Sequence, residues 1–180
     1  MAIRINNLVI GIDESYKRTG ISIAADGQLL KVTSIPFRSS DCPSVKRKKL
    51  SNIIYQIISK NVSKSHEMFI IVERIRTFSQ GFLSTNYIKA TAALIATIVD
   101  TAYEFNVPVY SVDTRSWKAK IVGTSKPKGK GKNKDTKAPT LEYIKKLGFN
   151  VGDDSDAADS ACIALYGFLP KNMQNLKIEK

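Results

Sequence analysis

One histidine, His66, and two cysteines, Cys42 and Cys162, are all that this chain of 180 residues offers of the side chains that most often bind zinc or relay protons. A His-based catalytic triad and a His-rich zinc site are therefore excluded. The cysteines stand 120 positions apart, form no metal-ligand spacing, and read as reduced thiols of a cytosolic compartment. No stretch approaches the roughly 18 uncharged apolar residues that span a bilayer. Arg4, Asp13 and Glu14 already interrupt the N-terminal segment, so a secreted or membrane-spanning protein is not expected. Acids are scarce as well: 16 Asp+Glu against 28 Lys+Arg, for a net charge of +12. That excess implies a polyanionic partner, nucleic acid before anionic membrane. Any catalysis must run on carboxylates, lysines, hydroxyls or metal ions.

Length and a 43% hydrophobic content suit one globular domain over 1–180 with a single core. The positive charge is concentrated. Residues 115–149 hold eleven basic residues and two acidic ones, Asp135 and Glu142, and most of the excess lies in Ser125–Lys137 (SKPKGKGKNKDTK). With no apolar side chain to bury, this segment reads as a flexible Lys-rich loop at about 123–138 that grips phosphates. Its candidate contacts are Lys126, Lys128, Lys130, Lys132 and Lys134, joined by Lys118 and Lys120 just before it. A second basic patch is Lys46-Arg47-Lys48-Lys49.

Around these segments the pattern alternates between strand and helix. LVIGID (Leu8–Asp13) reads as a buried strand. Gly20–Ala25 and Gln28–Pro36 form a hairpin about Asp26-Gly27. Pro43–Asn61 carries Leu50, Ile53, Ile54, Ile57 and Ile58 at helical spacing. Met68–Ile75 is a fourth strand and 81–105 a long helix, whose face from Tyr87 to Phe105 suits a core or a dimer surface. Val107–Val112 is a fifth strand. Helices follow over Thr114–Val122, Thr140–Leu147 and Asp154–Gly167. The order predicts an α/β fold with a mixed five-stranded sheet, three antiparallel strands followed by parallel ones, flanked by helices.

The minority charge is the more informative. Asp13 and Glu73 end two apolar strands, LVIGID and FIIVE, where acids are depleted. Each alone reads as a loop residue past a strand edge; together they are two acids that neighbouring strands can bring together. Asp153, Asp154, Asp156 and Asp159 place four acids within seven residues. Helix capping and the helix dipole explain Asp153 and Asp154, and extend to Asp156. They do not explain Asp159, beyond the first turn, where Ala is favoured. Asp156 and Asp159 share a helix face. Four converging carboxylates on a basic body point to two Mg²⁺ ions acting on a phosphodiester, with Mn²⁺ able to substitute and no small-molecule cofactor. Arg74, Arg76 and Phe78 follow Glu73 and read as DNA contacts beside the cut site. Trp117 reads as a core anchor, His66 as exposed, and Asp100, Glu104 and Asp113 as structural.

LVIGIDESYKRTGISI, IIVERIRTF and DSDAADSACIALYG resemble the three acidic motifs of RuvC-type Holliday junction resolvases, nucleases of the RNase H fold. SWKAKIVG resembles that family's basic stretch ending in Val-Gly, and the likeness runs in order along nearly the whole chain. It implies an RNase H-like fold, an active site of Asp13, Glu73, Asp156 and Asp159, and a catalytically supporting lysine at Lys137. It further implies a homodimer that binds four-way DNA junctions and resolves them by paired nicks. Three departures stand out: a longer and more lysine-rich loop after Val122-Gly123, Arg76 where an aromatic is usual, and Phe78 as the nearest ring. They leave room for cleavage of branched DNA more broadly. The small size and Lys/Ile/Asn-rich composition resemble phage-carried members, which would act in a bacterial host's cytoplasm. Another RNase H-fold activity, on RNA–DNA hybrids or of transposase type, is one alternative. A non-enzymatic basic DNA-binding protein is the other.

Overall fold

The computed structural model describes residues 5–75, 85–123, 135 and 137–179. The apolar run ending at Asp13 forms β1 (Ile5–Asp13), with Leu8, Val9, Ile10 and Ile12 fully buried. Helices cover both faces of this strand, which is why its sequence is a continuous apolar run rather than an alternation. β2 (Arg18–Ala25) and β3 (Gln28–Pro36) form the expected hairpin. Asp26 and Gly27 both take positive φ, 48° and 84°, as a tight two-residue turn requires. The Asp26 carboxylate also accepts the Asn7 N–H at 2.9 Å, tying the turn back to β1.

β1 pairs antiparallel with β2 and parallel with β4 (Ser65–Glu73), and β4 pairs parallel with β5 (Val109–Val112). Parallel neighbours need long crossovers. They are supplied through α1 (Pro43–Asn61) and α2, described from Thr85 to Tyr103. Both helices pack on one face of the sheet, where Leu50, Ile54, Ile58, Leu94, Ile95, Ile98 and Ala102 meet Leu8, Ile10, Ile12, Ile70 and Val72. On the other face lie α4 (Ala138–Lys146) and α5 (Ser155–Tyr166), with Trp117, Ile144, Ala158, Ala161, Cys162 and Ile163 against Val9 and Ile71. Among the described residues no helix is long and apolar enough to cross a membrane.

The sheet has six strands, in the order β3-β2-β1-β4-β5-β6, rather than five. The addition is β6 (Leu176–Glu179), antiparallel to β5. Four residues at an edge, with two of them charged, carry too little apolar periodicity to be read from sequence. Further differences are local. β4 stops at Glu73, and the helix after β5 divides into α3 (Thr114–Trp117) and a single π turn (Lys118–Val122) ended by Gly123 at φ 78°. Of the long helix expected over 81–105, residues 81–84 lie outside the described residues. The Lys-rich segment does too, save positions 123, 135, 137 and 138.

Two glycines set the distance between α5 and the sheet. A Cβ on Gly11 would collide with the backbone of Ser160 and Ala164, and one on Gly20 with the backbone of Asp156. Gly20 is the register partner of Asp13. The small side chains Ala157, Ala158, Ser160, Ala161 and Ala164 complete the contact, and Ser22 Oγ and Ser160 Oγ hydrogen-bond across it at 2.7 Å. Gly20→Ala is expected to lower stability by about 1–3 kcal/mol through overpacking. For a chain of this size that is roughly 2–12 °C in Tm, read by calorimetry. An unchanged Tm would refute the close approach.

Candidate active site

The site grows from the strand register. Ile12 pairs with Val72, so the next residues, Asp13 and Glu73, end adjacent parallel strands at the same sheet edge. Side chains alternate across a strand. Val9, Gly11 and Asp13 therefore share the α5-facing side with Ile71 and Glu73. Above them α5 presents Asp156 and Asp159 one turn apart, held close by the glycine contact.

The start of α5 is fixed by an acid with a different task. Asp154 is its N-cap, accepting the Ala157 N–H at 3.1 Å. Its other oxygen accepts from Ser34 Oγ at 2.5 Å and lies 3.3 Å from the Arg18 guanidinium. Burial raises the Asp154 pKa, but Ser34, the Ala157 N–H and Arg18 outweigh it and hold the carboxyl below its ordinary value. The capping role read from the sequence is correct for Asp154, which is tied to both strands of the hairpin.

The other acids are strained electrostatically in the opposite sense. Burial, then Glu73, Asp159 and Asp156, raise Asp13 well above the ordinary value, with Lys118 opposing. Burial raises Glu73, and hydrogen bonds from Thr114 and Trp117 work against the rise. Thr114 Oγ1 donates to Glu73 Oε1 at 2.5 Å, and Trp117 Nε1 donates to Oε2 at 3.0 Å. Asp159 is raised by burial, opposed by Lys118 and Thr140, with Asp156 adding to the rise. The Lys118 ammonium lies 3.5 Å from Asp159 Oδ2 and 5.0 Å above the Trp117 ring. Asp13, Glu73, Asp156 and Asp159 are thus within electrostatic reach of one another.

The remaining predicted residues divide. Arg74 turns back into the sheet, donating to Ser111 Oγ at 3.4 Å and Ser111 O at 3.3 Å, so its guanidinium is engaged within β4–β5. Lys118 faces the acids. Lys120 is exposed on the π turn. Lys137 is exposed at the start of α4, with its backbone N–H on Asp135 Oδ1 at 2.8 Å. Arg76, Phe78, Lys126, Lys128, Lys130, Lys132 and Lys134 lie outside the described residues. Trp117 is the core anchor its context suggested, and it also orients Glu73. Sequence reasoning missed Thr114, which no local pattern marks. It also missed Glu14, a buried acid whose signal was its place directly after Asp13.

A divalent cation fits this donor set in chemistry: hard carboxylate oxygens, mutually repelling, with Asp159 Oδ1 and Glu14 Oε2 buried and lacking a hydrogen-bond partner among the described residues. Among the described residues no three of His, Cys, Asp and Glu are grouped to ligate one ion directly. An ion resting on one or two carboxylates and its own waters suits Mg²⁺.

No protein-family model matches the chain, and no curated protein matches it in sequence. Solved structures do. RuvC of T. thermophilus in complex with a Holliday junction substrate superposes with a TM-score of 0.68 at 16% identity, over 97% of this chain and 100% of that one. A Thermus thermophilus RuvC structure gives 0.64 at 18% identity, over 88% and 91%. The yeast mitochondrial Holliday junction resolvase Ydc2 gives 0.52 at 17%, over 91% and 78%. The chain therefore has the RNase H-like fold of RuvC, as its motifs implied.

The crowded acids set a pH dependence. A carboxyl raised on folding leaves stability intact below its unfolded value and removes it as pH climbs toward the raised one. With ordinary values of 3.8 for Asp and 4.5 for Glu, Tm in EDTA is expected to fall as pH rises above that range. Asp154 acts oppositely, losing its contribution only as pH drops below 3.8. Thermal melts across pH should show the fall in the wild type and a shallower one in Asp13→Asn. Identical profiles would sink the coupling.

Proposed function

We propose that this chain is a Mg²⁺-dependent, structure-selective DNA endonuclease that resolves Holliday junctions or related branched DNA by paired phosphodiester nicks, acting as a homodimer. The observation that carries the reading is the convergence of Asp13, Glu73, Asp156 and Asp159, half-buried acids within electrostatic reach of one another on a chain of net charge +12. Glu73 serves Thr114 and Trp117, and Asp159 pairs with Lys118, but these contacts do not account for four acids gathered together. Apolar residues at the same positions would fold with less repulsion, so the acids answer to a ligand. The fold supports the reading, because the structures it matches include a RuvC bound to a Holliday junction.

Asp13, Glu73, Asp156 and Asp159 would hold two divalent ions, with Mn²⁺ able to replace Mg²⁺. When bound, such ions activate water and stabilise the leaving oxygen of a phosphodiester. The chain's own residues do the rest. Thr114 and Trp117 fix both oxygens of Glu73, so this carboxylate cannot rotate away as charge changes beside it. Lys118 offsets part of the negative charge at Asp159. Lys120, Lys137 and the lysines from Lys126 to Lys134 supply the positive surface that holds the phosphates, a sequence-independent attraction. Lys137 serves as the supporting basic group beside the cut.

A four-way junction, a linear duplex and an RNA–DNA hybrid, incubated with Mg²⁺ and with EDTA, test the proposal together. Cleavage of the junction alone, lost in EDTA, is expected. Asp13→Asn, Glu73→Gln, Asp156→Asn and Asp159→Asn should abolish nicking while junction binding persists in a gel-shift assay. Preferential cleavage of the hybrid would indicate another RNase H-type activity. Metal-independent binding without cleavage would identify an architectural protein.

A further inference from the structure

Glu14 has no part in the chemistry derived so far. It is 5% exposed, and Oε2 has no hydrogen-bond partner among the described residues. Burial and then the Asp13 charge act on it most strongly, followed by its own N–H and by the charge and N–H of Glu73. The carboxyl therefore sits between the ends of β1 and β4, beside both strand acids. Glu14 directly follows the last residue of β1, at the sheet edge where Asp13 and Glu73 end adjacent parallel strands. Tyr87 on α2, 40% exposed, feels the charges of Asp13, Glu14 and Glu73 from the same quarter. A leucine would bury similar volume without an unserved oxygen or a second negative charge beside Asp13. The fold does not account for an acid here.

We propose that Glu14 is a fifth carboxylate of the cation site, holding water bound to a divalent ion rather than the ion itself. This rests on reading the acids as a divalent-cation centre. Mg²⁺ sheds water reluctantly and keeps several molecules of its shell, so acceptors one water away contribute to its affinity. The unserved Oε2 calls for a donor, and an ion-polarised O–H is a strong one.

The test is Mn²⁺ titration of the DNA-free protein by electron paramagnetic resonance, paired with melts in EDTA and in Mn²⁺. Glu14→Gln should weaken Mn²⁺ binding about 10- to 100-fold, the usual effect of losing an outer-shell partner. Its Tm in EDTA should hold or rise, since a charge beside Asp13 is gone, and the Mn²⁺-induced rise in Tm should shrink. Wild-type Mn²⁺ affinity in Glu14→Gln, with Asp13→Asn impaired, would overturn the role of Glu14 and leave the site standing. Absence of Mn²⁺ binding in the wild type would remove the site reading and this inference with it. A lower Tm in EDTA would make Glu14 a structural acid. If the Gln variant folds poorly, Glu14→Met decides: weakened Mn²⁺ binding with a raised metal-free Tm supports the proposal, and unaltered binding overturns it.

Discussion

Backbone touching backbone, where α5 crosses β1 and β2 at Gly11 and Gly20, is the contact on which the rest of the architecture depends. An ordinary helix-on-sheet packing separates the two layers by a full set of side chains. Here no strand side chain intervenes at the two glycines and only small ones lie around them, and Asp156 and Asp159 come within electrostatic reach of Asp13 and Glu73. Any larger residue at either glycine would lift the helix and part the acids on α5 from those on the strands. The fold and the site are thus decided by the same few atoms.

Against that fixed approach the charges are arranged in two opposing groups. Asp154, with Ser34, Arg18 and the helix N–H, is fully served and stabilises the ionised form. Asp13, Glu73 and Asp159 are raised chiefly by burial and by one another's charge, and their surroundings favour a proton or a cation. The first group locks the helix start; the second stores unfavourable energy that ligand binding can release. Such a division is characteristic of functional sites, where local consistency is given up and the surrounding structure compensates.

Much of this was legible in the chain because the strongest signals were also the least ambiguous. LVIGID and IIVE gave the central strands, and acids at their ends were conspicuous against apolar neighbours. The Asp26-Gly27 hairpin and the α1 spacing followed local rules that tertiary structure left in force. β6 was illegible because four edge residues bury little. The bonds from Arg74 to Ser111 on the neighbouring strand were equally out of view, because they join residues 37 positions apart. Thr114 depends on distance between strands, which no one-dimensional pattern encodes, whereas Glu14 stood in plain view directly after Asp13 and only its burial needed the fold. The dual role of Trp117, core anchor and donor to Glu73, likewise needed three dimensions.

Lys118 occupies a different electrical environment from the lysines that follow it. Its side chain is 16% exposed and pinned between Asp159 and the Trp117 ring, whereas Lys120 and Lys137 stand in solvent. Dissolved ions screen exposed charges over about 8–10 Å at ordinary ionic strength and reach shielded pairs far less. Raising the salt therefore loosens the grip of the outer lysines on a polyanion well before it disturbs the partnership at Asp159. Attraction of the exposed lysines for any polyanion and order within the acid cluster are separable by ionic strength alone, because the protein has placed one of its many lysines out of reach of the bath.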